Sequence, residues 1–420
     1  NEVALDYQAA GLSNEANAIW QIAIEEDAAN PMTYYYMHRY KDAAKADYSY
    51  CFPNRLEDIQ ALENAKLKNP SDAMAPYYLG CLFYAARQYD LAIENWELSS
   101  QKAPMFPLVW RNLALARFNK QGREKEALGY MQNAFKLDTT DARMLMELDQ
   151  LSKRLHHPHA ERLEFLQQYP KLIEKRDDLV LEEITLLNQV GKYIQAKRKL
   201  DAHIFHPWEG GEGKVPAQYQ ICRVEMAKQN IAEGKYKCAV GLLKQCLTYP
   251  HHLGEGKLYG AQENDFYYLL GVAYDALGKT DEAKECWEKA VLGPQEPAAA
   301  MYYNDAKPDK IFYQGMALRK LGREDEAYGR FYRLINYGKQ HVFEHQTMDY
   351  FAVSLPDLLI WDDSLDTKNV IHCKYMLALG YCGMGDMKHA LKYLAEVEAL
   401  DNNHQGAQQL RSFIELRLLP

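Results

Sequence analysis

From Tyr267 to Ala290 apolar and small residues recur with a helical period that is broken once. Tyr267, Leu270, Gly271 and Tyr274 form one set; Gly278 interrupts; Ala283, Trp287 and Ala290 form the next, with Pro294 just beyond. Spacings of three and four place each set on one face of an α-helix, and the glycine between them marks a turn. The stretch therefore predicts two amphipathic helices packed antiparallel. Small Gly271 and Ala283 sit where the helices approach most closely, and Trp287 and Tyr274 fill the space beside them.

The same frame recurs along the chain. Leu79-Gly80, Ala92, Trp96 and Pro104 mark one unit, and Trp110, Leu113-Ala114, Gly122, Ala127 and Ala134 the next. Further units are marked by Gly191, Tyr193 and Ala196; by Gly234, Tyr236 and Ala239; by Gly322, Ala327 and Phe331; and by Gly385, Ala390 and Leu394. Gly11, Ala16, Trp20 and Ala23 read as the second half of a unit whose beginning is missing. Arg55–Pro70 and Ala160–Pro170 read as second helices of divergent units. Repeated units of this kind bury their apolar faces only against their neighbours.

The aromatic, Leu-Gly, Tyr, turn glycine, Ala, Trp, Ala order of residues 267–290 resembles the tetratricopeptide repeat family. The resemblance implies an all-α protein, a right-handed α-solenoid of about nine helical hairpins. It also implies an inner groove lined by the first helix of each unit, at its second, fifth, ninth and twelfth positions. Carried onto this chain, those positions give Tyr77, Tyr84, Arg111, Asn188, Lys228, Asp265, Tyr268, Arg319 and Tyr375 as candidate partner-binding residues. The family's Lys/Asn clamp for a C-terminal carboxylate is absent from the alignable pairs Tyr77/Cys81, Arg111/Leu115 and Tyr268/Val272.

The period divides the chain. Residues 1–155 follow a regular repeat near 34, with the first unit truncated. From 156 to 420 the repeats continue without a break but carry inserts, since Ala196 to Ala239 is 43 residues, Ala239 to Ala283 and Ala283 to Ala327 are 44 each, and Ala327 to Ala390 is 63. The inserts His206–Lys214, His251–Lys257, Pro294–Pro308 and Asn336 to about Ile371 all follow a second helix, so they should lie along one edge of the array.

Two inserts carry the same phrase, Gly-Glu-Gly-Lys, at Gly211 and at Gly254. A phosphate loop of the Walker type needs a Ser or Thr after the lysine and a strand before the loop; Val215 and Leu258 follow here. Two readings remain: the glycines expose backbone N–H groups as an anion nest, or they supply turns while the Glu and Lys pair with neighbouring loops. Candidate partner- or glycan-binding residues on this edge are His206, Trp208, Glu209, Glu212, Lys214, His251, His252, Glu255 and Lys257.

Composition narrows the function classes. A net charge of -9 with no basic stripe argues against a nucleic-acid partner. Eight cysteines show no Cys-x-x-Cys pair, which favours buried thiols and a reducing, cytoplasmic compartment, though localisation stays weakly constrained. No run approaches the length of a membrane span. The chain opens at Asn1 without methionine or signal peptide, as a piece of a longer polypeptide would.

Catalytic signals are thin. His341-Val-Phe-Glu344-His345 matches the inverted zinc-peptidase pattern, in which two histidines on one helical face ligate zinc and Glu344 acts as base, with Glu396 or Glu398 as the third ligand. Chance matches are common in a chain with 13 histidines, and a polar helix is the plainer reading. His156–His159 reads as a turn between units. His206, His251 and His252 could meet across neighbouring loops. No catalytic residue, metal ligand or cofactor is assigned.

The phrases His206–Lys214 and His251–Leu258, with Ser354–Asn369, resemble the C-terminal repeat region of a large bacterial family. Its repeats follow a β-sandwich similar to sugar-processing domains. That resemblance spans roughly residues 160–420 and implies a helical tail of a carbohydrate-related protein. Two functions follow as expectations. The first is a non-catalytic scaffold that binds a protein, or its own upstream domain, through groove and edge. The second is an accessory part of a carbohydrate-active enzyme.

Overall fold

The computed structural model describes residues 1–299, 307–347 and 360–418. Parts of two expected inserts, including the start of the Ser354–Asn369 phrase, lie outside the described residues. Among the described residues every regular element is helical. The chain divides into two compact units, Asn1–Leu151 and Ser152–Pro420.

The first unit holds α1 (Glu2–Ala9), α2 (Ser13–Glu25), α3 (Pro31–Tyr36), α4 (Tyr40–Ala43), α5 (Leu56–Lys68), α6 (Met74–Ala85), α7 (Tyr89–Lys102), α8 (Pro107–Gln121), α9 (Glu124–Leu137) and most of α10 (Ala142–Arg154). The second holds α11 (His159–Leu166), α12 (Pro170–Ile173), α13 (Asp177–Gln189), α14 (Tyr193–Ala202), α15 (Lys214–Ala232), α16 (Tyr236–Cys246), α17 (Asn264–Ala276), α18 (Thr280–Ala290), α19 (Pro308–Lys320), α20 (Glu324–His341), α21 (Leu365–Gly383), α22 (Met387–Leu400) and α23 (Gln405–Glu415). Eight consecutive pairs pack as regular hairpins: α1/α2, α6/α7, α8/α9, α13/α14, α15/α16, α17/α18, α19/α20 and α21/α22. Residues 31–68 and 142–173 form two irregular stretches, so the expected count of about nine was close but not exact. The fold is all-α and solenoid-like, with neighbouring hairpins stacked within each unit.

The close approach of paired helices is set by one glycine facing one ring. A Cβ on Gly271 would overlap the Trp287 indole, one on Gly80 the Trp96 indole, and one on Gly315 the Phe331 ring. All three pairs are 16 residues apart. Gly271 and Gly80 stand in the predicted frame; Gly315 was not part of it. The turn glycines are equally regular, with Gly278 at φ +73° and Gly234 at φ +74°, a region that other residues enter only with strain.

One insert boundary needed correction. The insert read from Asn336 to about Ile371 in fact spans 342–364, because α20 continues to His341 and α21 already begins at Leu365. The extra helix is held by tight packing: a Cβ on Gly338 would come within 2.7 Å of the Cys373 carbonyl oxygen on α21.

Candidate functional site

The second unit presents two faces of interest, an inner face built from first helices and a rim built from the long connectors. On the inner face the expected residues of this unit are largely covered. Asn188, Lys228, Tyr268 and Tyr375 are all buried. Asn188 is held by Gln218 of α15, and what covers the other three is the chain itself: α23 lies across α15, α17, α19 and α21.

The contacts of α23 run its whole length. Gln405 and Gln218 exchange amide hydrogen bonds of 2.7 and 3.0 Å. Lys228 Nζ donates to the Gln409 carbonyl at 3.0 Å and to Glu225 at 2.7 Å, and Ser412 Oγ donates to the other Glu225 oxygen at 2.6 Å. Phe413 is fully buried among the rings of Tyr268, Phe312 and Tyr313, with centroids 5.8 to 6.3 Å away. Gly406 passes so close to Tyr375 that a Cβ would stand 2.8 Å from its hydroxyl.

The link before α23 closes the unit on itself. Asn403 Oδ1 accepts from Arg162 Nη1 at 3.0 Å, its Nδ2 donates to the Lys153 carbonyl at 3.2 Å, and its carbonyl accepts from Gln189. Asn402 Nδ2 donates to the His156 carbonyl at 3.0 Å. Residues separated by about 250 positions in sequence thus share one hydrogen-bond network.

Buried charges are paired throughout this interior. Burial alone would raise the Glu182 carboxyl, but Lys153 and Arg162 outweigh it and hold the pKa at about 2. Burial likewise works against the charge on Lys310, which Asp265 at 2.5 Å and Asp309 keep protonated above its ordinary range. A cavity of about 20 Å³, room for one water, remains between α23 and the inner face, lined in part by Lys228, Asp265, Asp309, Tyr313, Tyr375 and Gln409.

The rim is formed by the connectors 203–213 and 247–263 and by the described parts of two more, 291–299 and 342–347. The first two lie against each other: Phe205 N–H donates to the His252 carbonyl at 2.8 Å, and Gly254 passes so close that a Cβ would meet the Phe205 oxygen at 2.6 Å. The repeated phrase pairs with its own copy. Glu255 of the second phrase accepts from the Gly213 N–H of the first at 2.8 Å, at the N-terminus of α15. Lys257 reaches Glu263 at 2.5 Å and the Leu247 carbonyl. Glu255 thus pairs between the loops while Lys257 pairs within its own connector, and the Gly213 N–H that an anion nest would use already faces a carboxylate.

Other rim residues divide between tether and surface. His206 is exposed and contacts Asp177, which also takes His203; despite its burial, these histidines lower the Asp177 carboxyl. Trp208 is half-buried, its indole folded over Gly211, where a Cβ would stand 2.6 Å from Cδ2. Glu209, Lys214 and His251 are exposed; Glu212 and His252 are partly covered.

In the first unit the candidate residues are engaged in packing. Tyr77 meets Phe106 edge-on at 4.9 Å, and Tyr84 packs on Tyr89 and Trp96. Arg111 forms a two-pronged pair with Glu147 at 2.5 and 2.6 Å. In the second unit Arg319 pairs with Glu324 and lies over the Tyr328 and Phe331 rings.

The zinc-peptidase geometry is not formed. His341 ends α20, and Glu344 and His345 follow outside any helix, so the two histidines share no helical face. His341 contacts Glu344 at 2.7 Å, His345 contacts Asp366 at 2.9 Å, Glu396 takes Lys374, and Glu398 takes Arg411. Nor do His206, His251 and His252 converge: among the described residues no group of three His, Cys, Asp or Glu could hold a metal. His156 and His159 flank the α10–α11 turn, as expected, and contact Asn402 and Asn403. Among the described residues no helix is long and apolar enough to cross a membrane.

Sequence reasoning missed α23, with Asn403, Gln405, Ser412 and Phe413, and its counterpart Arg162. A usable signal existed: Ala407, Leu410, Phe413 and Ile414 recur at helical spacing after the last recognised unit.

Residues 265–292 match the family model described as tetratricopeptide repeat, so the α17/α18 hairpin carries that repeat. Solved structures overlap loosely. YrrB, described as a tetratricopeptide protein with an unusual peptide-binding site, is 14% identical, with 56% of this chain and 92% of that chain covered and a TM-score of 0.31. A tetratricopeptide repeat protein from Parabacteroides merdae is 15% identical, with 66% and 92% covered and a TM-score of 0.35. The Naa15/Naa10 complex bound to HypK-THB is 12% identical, with 90% and 64% covered and a TM-score of 0.41. Nothing about this chain follows from what those proteins bind.

Proposed function

We propose that this chain is a non-catalytic scaffold that holds a protein partner, or another domain of its own polypeptide, on the connector rim of the second unit. One observation carries the reading: each of the four connectors holds large apolar side chains out to solvent. Ile204 is 66% exposed, Leu258 59%, Leu292 68% and Phe343 93%, and Tyr259 is fully exposed. Apolar side chains scattered singly need no explanation, but a repeated set at one position of stacked hairpins is a surface that gains by being covered. Tyrosine and phenylalanine there offer large contact area with few torsions to freeze. Glu209, Lys214 and Glu296 interleave charge that orients a partner without supplying most of the affinity.

The test is a comparison of affinity-tagged chains. A Leu258→Ser/Tyr259→Ser/Phe343→Ser chain should keep its circular dichroism and thermal midpoint yet lose proteins that co-purify stoichiometrically with the parent. A Tyr50→Ser control, altered in the first unit, should retain them. Equal recovery from parent and triple variant would remove the rim from consideration.

A further inference from the structure

We propose that the inner face of the second unit is a helix-recognition site, and that α23 is a tethered ligand occupying it in cis. The site then takes, in trans, an amphipathic helix of the same chemistry: an amide side chain at one end and an aromatic ring ten residues later.

The lining argues for a ligand surface over a permanent core. The hairpins close through Gly and large rings, as at Gly271 and Trp287, with buried ion pairs such as Arg162–Glu182 added between some helices. Under α23 the lining mixes rings with charge and amide: Gln218, Glu225, Lys228 and Asp265 are buried beside Tyr268, Phe312, Tyr313 and Tyr375. Burying charge costs several kcal/mol per ion unless it is fully paired, so a surface that never meets water gains little from such residues. A surface that is at times open to water needs them. The fit is also incomplete, since the small polar cavity beside Gln409 is left between helix and lining. Interfaces that form and part are more polar and wetter than cores.

Two anchors define what the site reads. At one end Asn403 is held by Arg162, the Lys153 carbonyl and Gln189. At the other, Phe413 fills a box of Tyr268, Phe312 and Tyr313, with the Lys228 ammonium 5.9 Å from the ring. Between them Gln405 and Ser412 add polar checks against Gln218 and Glu225. The short link 401–404 and the partly exposed Arg411–Glu398 ion pair tie α23 to α22, so α23 can leave as one piece once that surface pair opens.

The experiment uses the full chain and a fluorescein-labelled peptide of residues 401–418, read by polarisation. The parent, whose site is filled by a tethered competitor, should bind the peptide weakly. A Phe413→Ala chain, with that competitor loosened, should bind it roughly tenfold to a hundredfold more tightly. A peptide carrying Phe413→Ala should not bind. If the Phe413→Ala chain keeps its helical signal but binds no better than the parent, the proposal is overturned. Hydrogen exchange on the unaltered chain gives a reading that needs no variant: α23 amides should open at lower protection than those of α15 and α17. Exchange of α23 only together with those helices would make it a core element and overturn the proposal as well.

Discussion

Gly271→Ala tests the helix spacing on which the hairpins depend. The new Cβ would overlap the Trp287 indole, and even Cε2, the most distant of the three nearest atoms, would be only 2.8 Å away. Ordinary carbon contacts begin near 3.5 Å, so the ring or its helix must retreat by more than about 0.5 Å. Trp287 is buried and cannot swing into solvent without leaving a void. Overpacking of this kind costs about 1–3 kcal/mol. Alanine also favours the helix over glycine by about 1 kcal/mol, which offsets part of the loss. Gly241 on α16 isolates that term, because a Cβ there meets nothing within 4 Å. Gly241→Ala should therefore stabilise the chain while Gly271→Ala falls below it by about 1–3 kcal/mol. Thermal midpoints of the two variants, measured side by side, give the answer. Equal midpoints would refute the reasoning, since they would mean that the glycine sets no spacing.

Three further outcomes follow from buried charges. Lys153 and Arg162 hold the folded Glu182 carboxyl well below its unfolded pKa of roughly 4.3, so its pairing stabilises the chain above pH 5 and that stability is lost as pH falls from 4 towards 2. Acid titration followed by circular dichroism should show a steeper loss in that window for the parent than for Glu182→Gln. Arg111→Ala should cost about 2–3 kcal/mol in chemical denaturation, because the buried Glu147 loses its two-pronged partner. His404 accepts from the Ala407 N–H at the start of α23, and burial lowers its pKa, with Asp401, His372 and Asp309 as its charged neighbours. A base lowered on folding stabilises above its unfolded pKa near 6.5 and ceases to do so as pH falls. The α23 amides should therefore lose protection between pH 7.5 and 5.5, and His404→Asn should abolish the difference.

Local spacing carried the hairpins into view. Gly271 and Trp287, or Gly80 and Trp96, are close enough in sequence for one helical period to specify which face meets which. The position of the repeated phrase after each second helix was legible for the same reason. Contacts between distant residues were not. Asn403 meets Arg162 only because many hairpins, each with a small rotation, bring the ends of the second unit together, and no local pattern states that sum. Lys228 and Tyr375 are buried on the inner face, and the occupant that covers them is a single helix outside the repeat frame, which the repeat spacing does not announce. The His341–His345 pattern misled because helix α20 stops at its first residue, a boundary fixed by packing against α21 and not by the motif itself.

Closure of the second unit, with α23 inside and the connectors along the rim, is most directly tested by one distance. With the exposed Cys238 replaced by Ser, spin labels at His156 and Asn402 occupy positions whose side chains stand 3.3 Å apart across 246 residues of sequence. Double electron–electron resonance should return a single, narrow population at the short limit of the method. A long or broad distribution would mean that the ends of the unit do not meet, and the interior described here would not exist.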